Sequence, residues 1–155
     1  MPPRHLFQQI KYLFECLIES AEQSEQVKTI LPDIVLWIYT AIAKAITIDG
    51  IIDEKEREFI EDVLQPYSMI HMDAFRKFSR DLHSPDIFLK ELPGCDYLNK
   101  DLRELILEVI SEILAVDGIL EDEELEYVTE LVALMGLPGS YVAWVNEKLQ
   151  DKINR

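Results

Sequence analysis

Glycine, proline, cysteine and basic residues are all scarce in this sequence. Of 155 residues, 5 are Gly, 7 are Pro and 2 are Cys. Cys16 and Cys95 lie far apart and form no C-x-x-C motif, which argues against a disulfide framework and makes a reducing cytoplasm the expected compartment. No glycine-rich phosphate loop and no G-x-S-x-G elbow occurs. His5, His71 and His83 have no ligand spacing among themselves or toward either cysteine, and read as surface or capping residues. Long apolar runs are missing too. The strongest lies between Asp33 and Lys44, short of the ~20 residues that cross a bilayer, and Met-Pro-Pro-Arg-His leads straight into an amphipathic pattern with no uniform apolar leader. Neither a transmembrane span nor a signal peptide is expected. Bases number 15 against 30 acids, a formal net charge of -15, which repels phosphate backbones and disfavours nucleic acid as a partner.

The chain does carry enough apolar material for a core, 48% of its residues, and one domain over residues 1–155 is expected. Its charge is concentrated. Residues 49–62 hold seven acids and two bases, and residues 101–130 hold eleven acids and one base, Arg103. Those stretches carry the whole excess, because the remaining acids and bases cancel at twelve each.

Helical period runs through the chain and no β-type alternation survives. Leu6, Ile10, Leu13, Phe14, Leu17, Ile18 and Ala21 form one stripe over residues 4–23. That helix could lie on a membrane surface, but Glu15, Glu19 and Glu22 face Lys11 on its polar side, so packing on the core or in a homodimer is the better expectation. Pro32 suits the first position of a helix over residues 33–48 that is apolar nearly all round and therefore central. Further helices are expected over 54–65, stopped by Pro66, and over 69–82. A short one begins at Pro85 behind a Ser84 cap and runs to about Leu92, and a longer one runs from an Asn99 cap to Val116. The last two cover 122–135, stopped by Gly136, and Ser140 onward. The expected fold class is all-α, a compact bundle of seven to eight helices.

A shift of 68 residues superimposes two segments, Ile46–Glu56 on Leu114–Glu124. Asp49, Gly50, Ile51, Glu56 and Glu58 recur as Asp117, Gly118, Ile119, Glu124 and Glu126. Each copy reads as helix, Asp-Gly corner, helix, over about 35–66 and 103–137. The corner matches the second half of an EF-hand loop, but positions 1 and 3 would be Ala45 and Thr47, or Ile113 and Ala115, which supply no carboxylate. An ordinary EF-hand is therefore rejected. A structural account covers most of the motif: Gly50 and Gly118 end helices, and Asp53 with Glu56 is a capping box. Asp49 and Asp117 escape it, because a helix C-terminus disfavours an anion. The structural corner and a weak metal site both stay open.

Glu104, Glu108 and Glu112, spaced i, i+4, i+8, and Glu126 with Glu130 read as solvated faces, or as a surface that collects divalent cations or docks a basic protein partner. Asp49 with Glu56, or Asp117 with Glu124, could act as catalytic pairs, but no substrate cleft is visible and no enzyme activity is expected.

The segments AKAITIDGIIDEKEREFIEDVL and SEILAVDGILEDEELEYVTELVALMGL resemble the TerB-like family of tellurite-resistance proteins and the N-terminal domain of the membrane-anchored co-chaperone DjlA. That resemblance implies a mostly seven-helix fold and a non-enzymatic bacterial stress-response protein, cytoplasmic or brought to the inner face of the membrane by partners. It also implies a divalent cation (Ca, Mg, Mn or Zn) held by Asp49, Asp53 and Glu56 and by Asp117, Glu121 and Glu124. The chain departs from the family pattern in having Ile46 or Leu114 where a small residue precedes the corner, and in its long N-terminal helix. The alternative is a metal-independent docking scaffold with an anionic face.

Overall fold

A computed structural model of the chain describes residues 4–48, 54–83, 99–114 and 122–153. Within them lie α1 (Arg4–Gln23), α2 (Glu25–Thr47), α3 (Glu54–Leu64), α4 (Met72–His83), α5 (Lys100–Leu114), α6 (Asp122–Leu134) and α7 (Ser140–Ile153), with a 3₁₀ turn at Gln65–Ile70. No strand occurs among the described residues, and the protein is all-α. The short helix expected after Ser84-Pro85 and both Asp-Gly corners lie outside the described residues.

Helix α2 is the axis of the bundle, packed against α1, α4 and α5. From Ile34 to Ile46 almost every side chain is buried, Trp37 and Tyr39 included. By length and composition this helix could cross a bilayer, and its apolar surface is covered by its neighbours. It begins eight residues before the expected start. Ser24 caps it, accepting from Val27 N at 3.4 Å through its hydroxyl and from Lys28 N at 2.9 Å through its carbonyl, with Glu25 favourably placed at the positive end of the dipole. Pro32 thus falls inside the helix. It is exposed, as is Lys28, whose carbonyl loses its helical donor, so the interruption falls on the solvent side of the helix, where it is tolerated.

Helix α1 buries Ile10, Leu13, Phe14 and Leu17 against this core, as its stripe implies. Phe14 stacks on Tyr39 at 5.4 Å and on Tyr67 at 5.2 Å, and Tyr39 meets Phe78 at 5.3 Å, which joins α1, α2, the 3₁₀ turn and α4 through aromatic rings. Equivalent positions of the two repeats share a burial pattern: Ile42 and Ile110, Ile46 and Leu114, Ile60 and Val128, and Leu64 and Val132 are all core residues.

Caps set several helix ends. Asn99 Oδ1 accepts from Leu102 N at 2.9 Å to start α5, and His71 Nδ1 accepts from Ala74 N at 3.1 Å to start α4, so His71 is a capping residue. Gly136, at φ +68°, ends α6 in a Schellman motif: Leu137 N donates to Val132 O and Gly136 N to Ala133 O. Arg103, the single base of the second acidic stretch, reaches over from α5 to donate to Met135 O at 2.9 Å.

Candidate functional site

Of the six acids proposed as metal ligands, Asp49, Asp53, Asp117 and Glu121 lie outside the described residues. Glu56 lies in the first turn of α3, and its side chain is outside the described set. Glu124 is described, in the first turn of α6 and 0% exposed. A carboxylate at that point is favoured by the helix dipole, and its burial sets it apart from Asp122 and Glu123 beside it, which are exposed. Among the described residues no group of three or more His, Cys, Asp or Glu is arranged to hold a metal.

The expected solvated ladder on α5 has a different fate at each step. Glu112 is buried at 7% exposure. Glu104 and Glu108 are each about one-third exposed and paired, Glu104 with Lys100 at 3.8 Å and Glu108 with Lys148 at 3.3 Å. The reason is helical geometry: residues four apart drift about 40° around the axis per step, so Glu112 stands about 80° from Glu104 and turns into the bundle. On α6, Glu130 pairs with Lys44 at 3.4 Å and Glu126 is exposed.

The outer half of that ladder lines a cleft of about 440 Å³ between α1 and α5. From α1 come Tyr12, Cys16 and Glu19, on one helical face; from α5 come Asp101, Glu104, Leu105 and Glu108, at i, i+3, i+4 and i+7. Four carboxylates therefore border the cleft, and no base lines it among the described residues. Tyr12 is 57% exposed, an unusually open large side chain for this fold. The α1 wall runs from Tyr12 to Gln23, about 16 Å along the axis, or three helical turns.

A second recess of about 340 Å³ adjoins it, lined by Glu104, Ser140, Tyr141 and Trp144. Glu104 borders both spaces, and the Tyr141 hydroxyl donates to its carboxylate. That bond to Glu104 is the main reason the Tyr141 phenol is pushed above its ordinary pKa, with Lys100 acting in the opposite direction. The ring of Tyr141 meets Trp144 edge-on at 5.7 Å, and Lys148 Nζ lies 4.3 Å from the Trp144 centroid. Cation, aromatic face and carboxylate thus meet at one place on the α5–α7 seam.

No family model, curated protein or solved structure matches this chain. The likeness of its paired corners to the TerB-like family accordingly stands on the motif residues alone.

Sequence reasoning singled out Glu104 and Glu108 but missed their companions on α1 and α7. Tyr12, Cys16 and Glu19 share a face at i, i+4, i+7, and Tyr141, Trp144 and Lys148 do so at i, i+3, i+7. An aromatic, an aromatic and a base on one face of a helix was the available signal for a cation–π shelf.

Proposed function

We propose that this protein is a non-enzymatic, cytoplasmic docking module whose α1–α5 cleft receives a basic segment of another protein. The observation that carries the reading is the lining: Glu19, Asp101, Glu104 and Glu108 around an apolar strip of Tyr12 and Leu105, with no base among the described lining residues. Three turns of groove length suit a helix laid into a helical groove, its bases matched to the carboxylate rows and an apolar residue set on Tyr12. The matching test is anisotropy of a labelled basic amphipathic peptide at low salt and at about 1 M salt, where the Debye length falls to ~3 Å. Binding is expected at low salt and lost at high salt, and Asp101→Asn, Glu104→Gln and Glu108→Gln together should weaken it and flatten its salt dependence. Binding that the triple variant leaves unchanged sinks the proposal.

A second reading follows the family resemblance: a stress-response module of tellurite-resistance type that holds a divalent cation at its two Asp-Gly corners. The burial of Glu124 favours it, because a motif carboxylate withdrawn from water is suited to a site rather than to a solvated face. Calorimetry with Ca²⁺, Mg²⁺, Mn²⁺ and Zn²⁺ decides. A heat that Asp49→Asn with Asp117→Asn abolishes supports the site; no binding below millimolar by any of the four ions rejects it.

A further inference from the structure

We infer that Trp144, Glu108 and Glu104 form a cation subsite on the α5–α7 seam, that the chain's own Lys148 occupies it, and that a guanidinium of the docked segment takes Lys148's place. The inference rests on the docking reading.

Lys148 shows what the subsite takes. Its Nζ lies 4.3 Å from the Trp144 ring centroid and 3.3 Å from Glu108 Oε1, so the two groups that select a cation hold one here already. The ring is preset for the task, since Tyr141 braces it edge-on and is itself fixed by donating to Glu104. The occupant is replaceable. Lys148 is 35% exposed at its side chain, so its flexible stem can swing into water while the recess of about 340 Å³ beside Trp144 stays open for a larger head group.

Arginine fits that space better than lysine. A planar guanidinium stacks on indole and offers a fork of donors that one carboxylate can accept in two parallel bonds, Glu104 at the recess or Glu108 where Lys148 now sits. A second cation–π pair among the described residues, Lys44 over Tyr127 at 4.9 Å, lacks these features: Tyr127 is 2% exposed and its hydroxyl is engaged by Ala41. Glu104 also borders the α1–α5 cleft, so a segment lying in the cleft can reach across Glu104 to Trp144 with one long side chain. Lys148 is then a built-in competitor, and only a cation that binds the ring and carboxylates better displaces it.

The test uses a labelled amphipathic peptide helix of about four turns with arginines one turn apart, and the same peptide with lysines, titrated at low salt into the full chain and its variants. Lys148→Ala should bind the arginine peptide about fivefold tighter, the scale of one half-exposed ion pair with its ring contact. Arg76→Ala, which removes the same charge from an exposed pair with Asp73 on α4, should change affinity less than twofold. Trp144→Leu should weaken binding and erase the gain from Lys148→Ala, and the lysine peptide should gain less than the arginine one. If Lys148→Ala binds no tighter than Arg76→Ala, or its gain survives Trp144→Leu, the subsite is wrong while salt-sensitive binding by the native chain leaves the docking reading intact. If no variant binds either peptide, both fall.

Discussion

The Tyr127 hydroxyl of α6 donates to the Ala41 carbonyl of α2 over 2.5 Å, a bond between residues 86 apart in the chain. It joins the second helix–corner–helix unit to the central helix of the first. Lys44, one turn beyond Ala41 on α2, lies over the same ring at 4.9 Å and pairs with Glu130 at 3.4 Å. The acidic second repeat is thereby tied to the apolar helix of the first by one buried phenol and one partly exposed lysine.

Two tyrosine-to-phenylalanine changes should therefore have opposite consequences. Tyr127→Phe loses a buried hydrogen bond and should destabilise the fold by about 1 kcal/mol. The Tyr39 hydroxyl is buried with no hydrogen-bond partner among the described residues, so Tyr39→Phe removes an unsatisfied polar group at constant packing and should be neutral or stabilising by up to ~1 kcal/mol. Urea melts of the two variants against the native chain check this. Equal losses for both would show that the Tyr127 bond contributes nothing of its own.

The same phenols set the alkaline limit of the fold. Burial pushes Tyr39 and Tyr127 above their ordinary value near 10, with the Glu130 charge adding to the effect at Tyr127. A raised folded pKa means that the native state holds its proton more tightly than the unfolded state does. Its stabilisation is complete below about pH 10 and is lost as pH rises from there through the folded values. The urea midpoint should hold steady to about pH 9 and fall steeply above pH 10, and Tyr39→Phe with Tyr127→Phe should flatten that fall. An equal alkaline slope in the double variant would assign the loss to other groups.

Where the sequence was legible, a strong local signal agreed with the tertiary packing. The stripe from Ile10 to Leu17 located α1, Asn99 capped α5, and Gly136 ended α6. Pro32 misled because proline at a helix start is common and its tolerance inside one depends on which side faces water, which only the packed bundle decides. The glutamates of α5 misled in another way. A run spaced by four looks like one face in sequence, yet its slow rotation carries Glu112 into the core and leaves Glu104 and Glu108 at a cleft. The cleft itself was invisible, since it needs α1 and α5, some ninety residues apart, to lie side by side.

Gly136 offers a test of the α6 terminus. Its φ of +68° is left-handed, and a Cβ added there would meet nothing closer than Arg103 Nη1 at 3.9 Å. Space is available, so Gly136→Ala should show backbone strain alone, a loss of about 1–2 kcal/mol. Arg103→Met keeps much of the stem packing and withdraws the donor from Met135 O, which should cost about 1 kcal/mol. Since Arg103 reaches the same corner, the double variant should lose less than the sum of the singles. Melting curves of the three proteins check the coupling; strict additivity would mean that the arginine and the corner act independently.

Glu19 separates a docking face from a merely solvated one. It stands exposed on the α1 wall of the cleft, with Asp101, Glu104 and Glu108 on the opposite wall. Lys100 and Lys148 offset the charges of Glu104 and Glu108 in part, so removing Glu19 relieves the native state of the repulsion that those pairs leave and that salt would otherwise screen. Glu19→Gln should leave stability unchanged or raise it by a few tenths of a kcal/mol at low salt, an advantage that disappears at about 1 M salt. If the cleft receives a basic segment, the same change should also weaken peptide binding severalfold and reduce its dependence on salt. A glutamate kept only for solvation would give the first effect without the second. Thermal melts and peptide titrations of one variant, each at two salt concentrations, therefore measure whether the charge that burdens the fold is the charge that holds the partner.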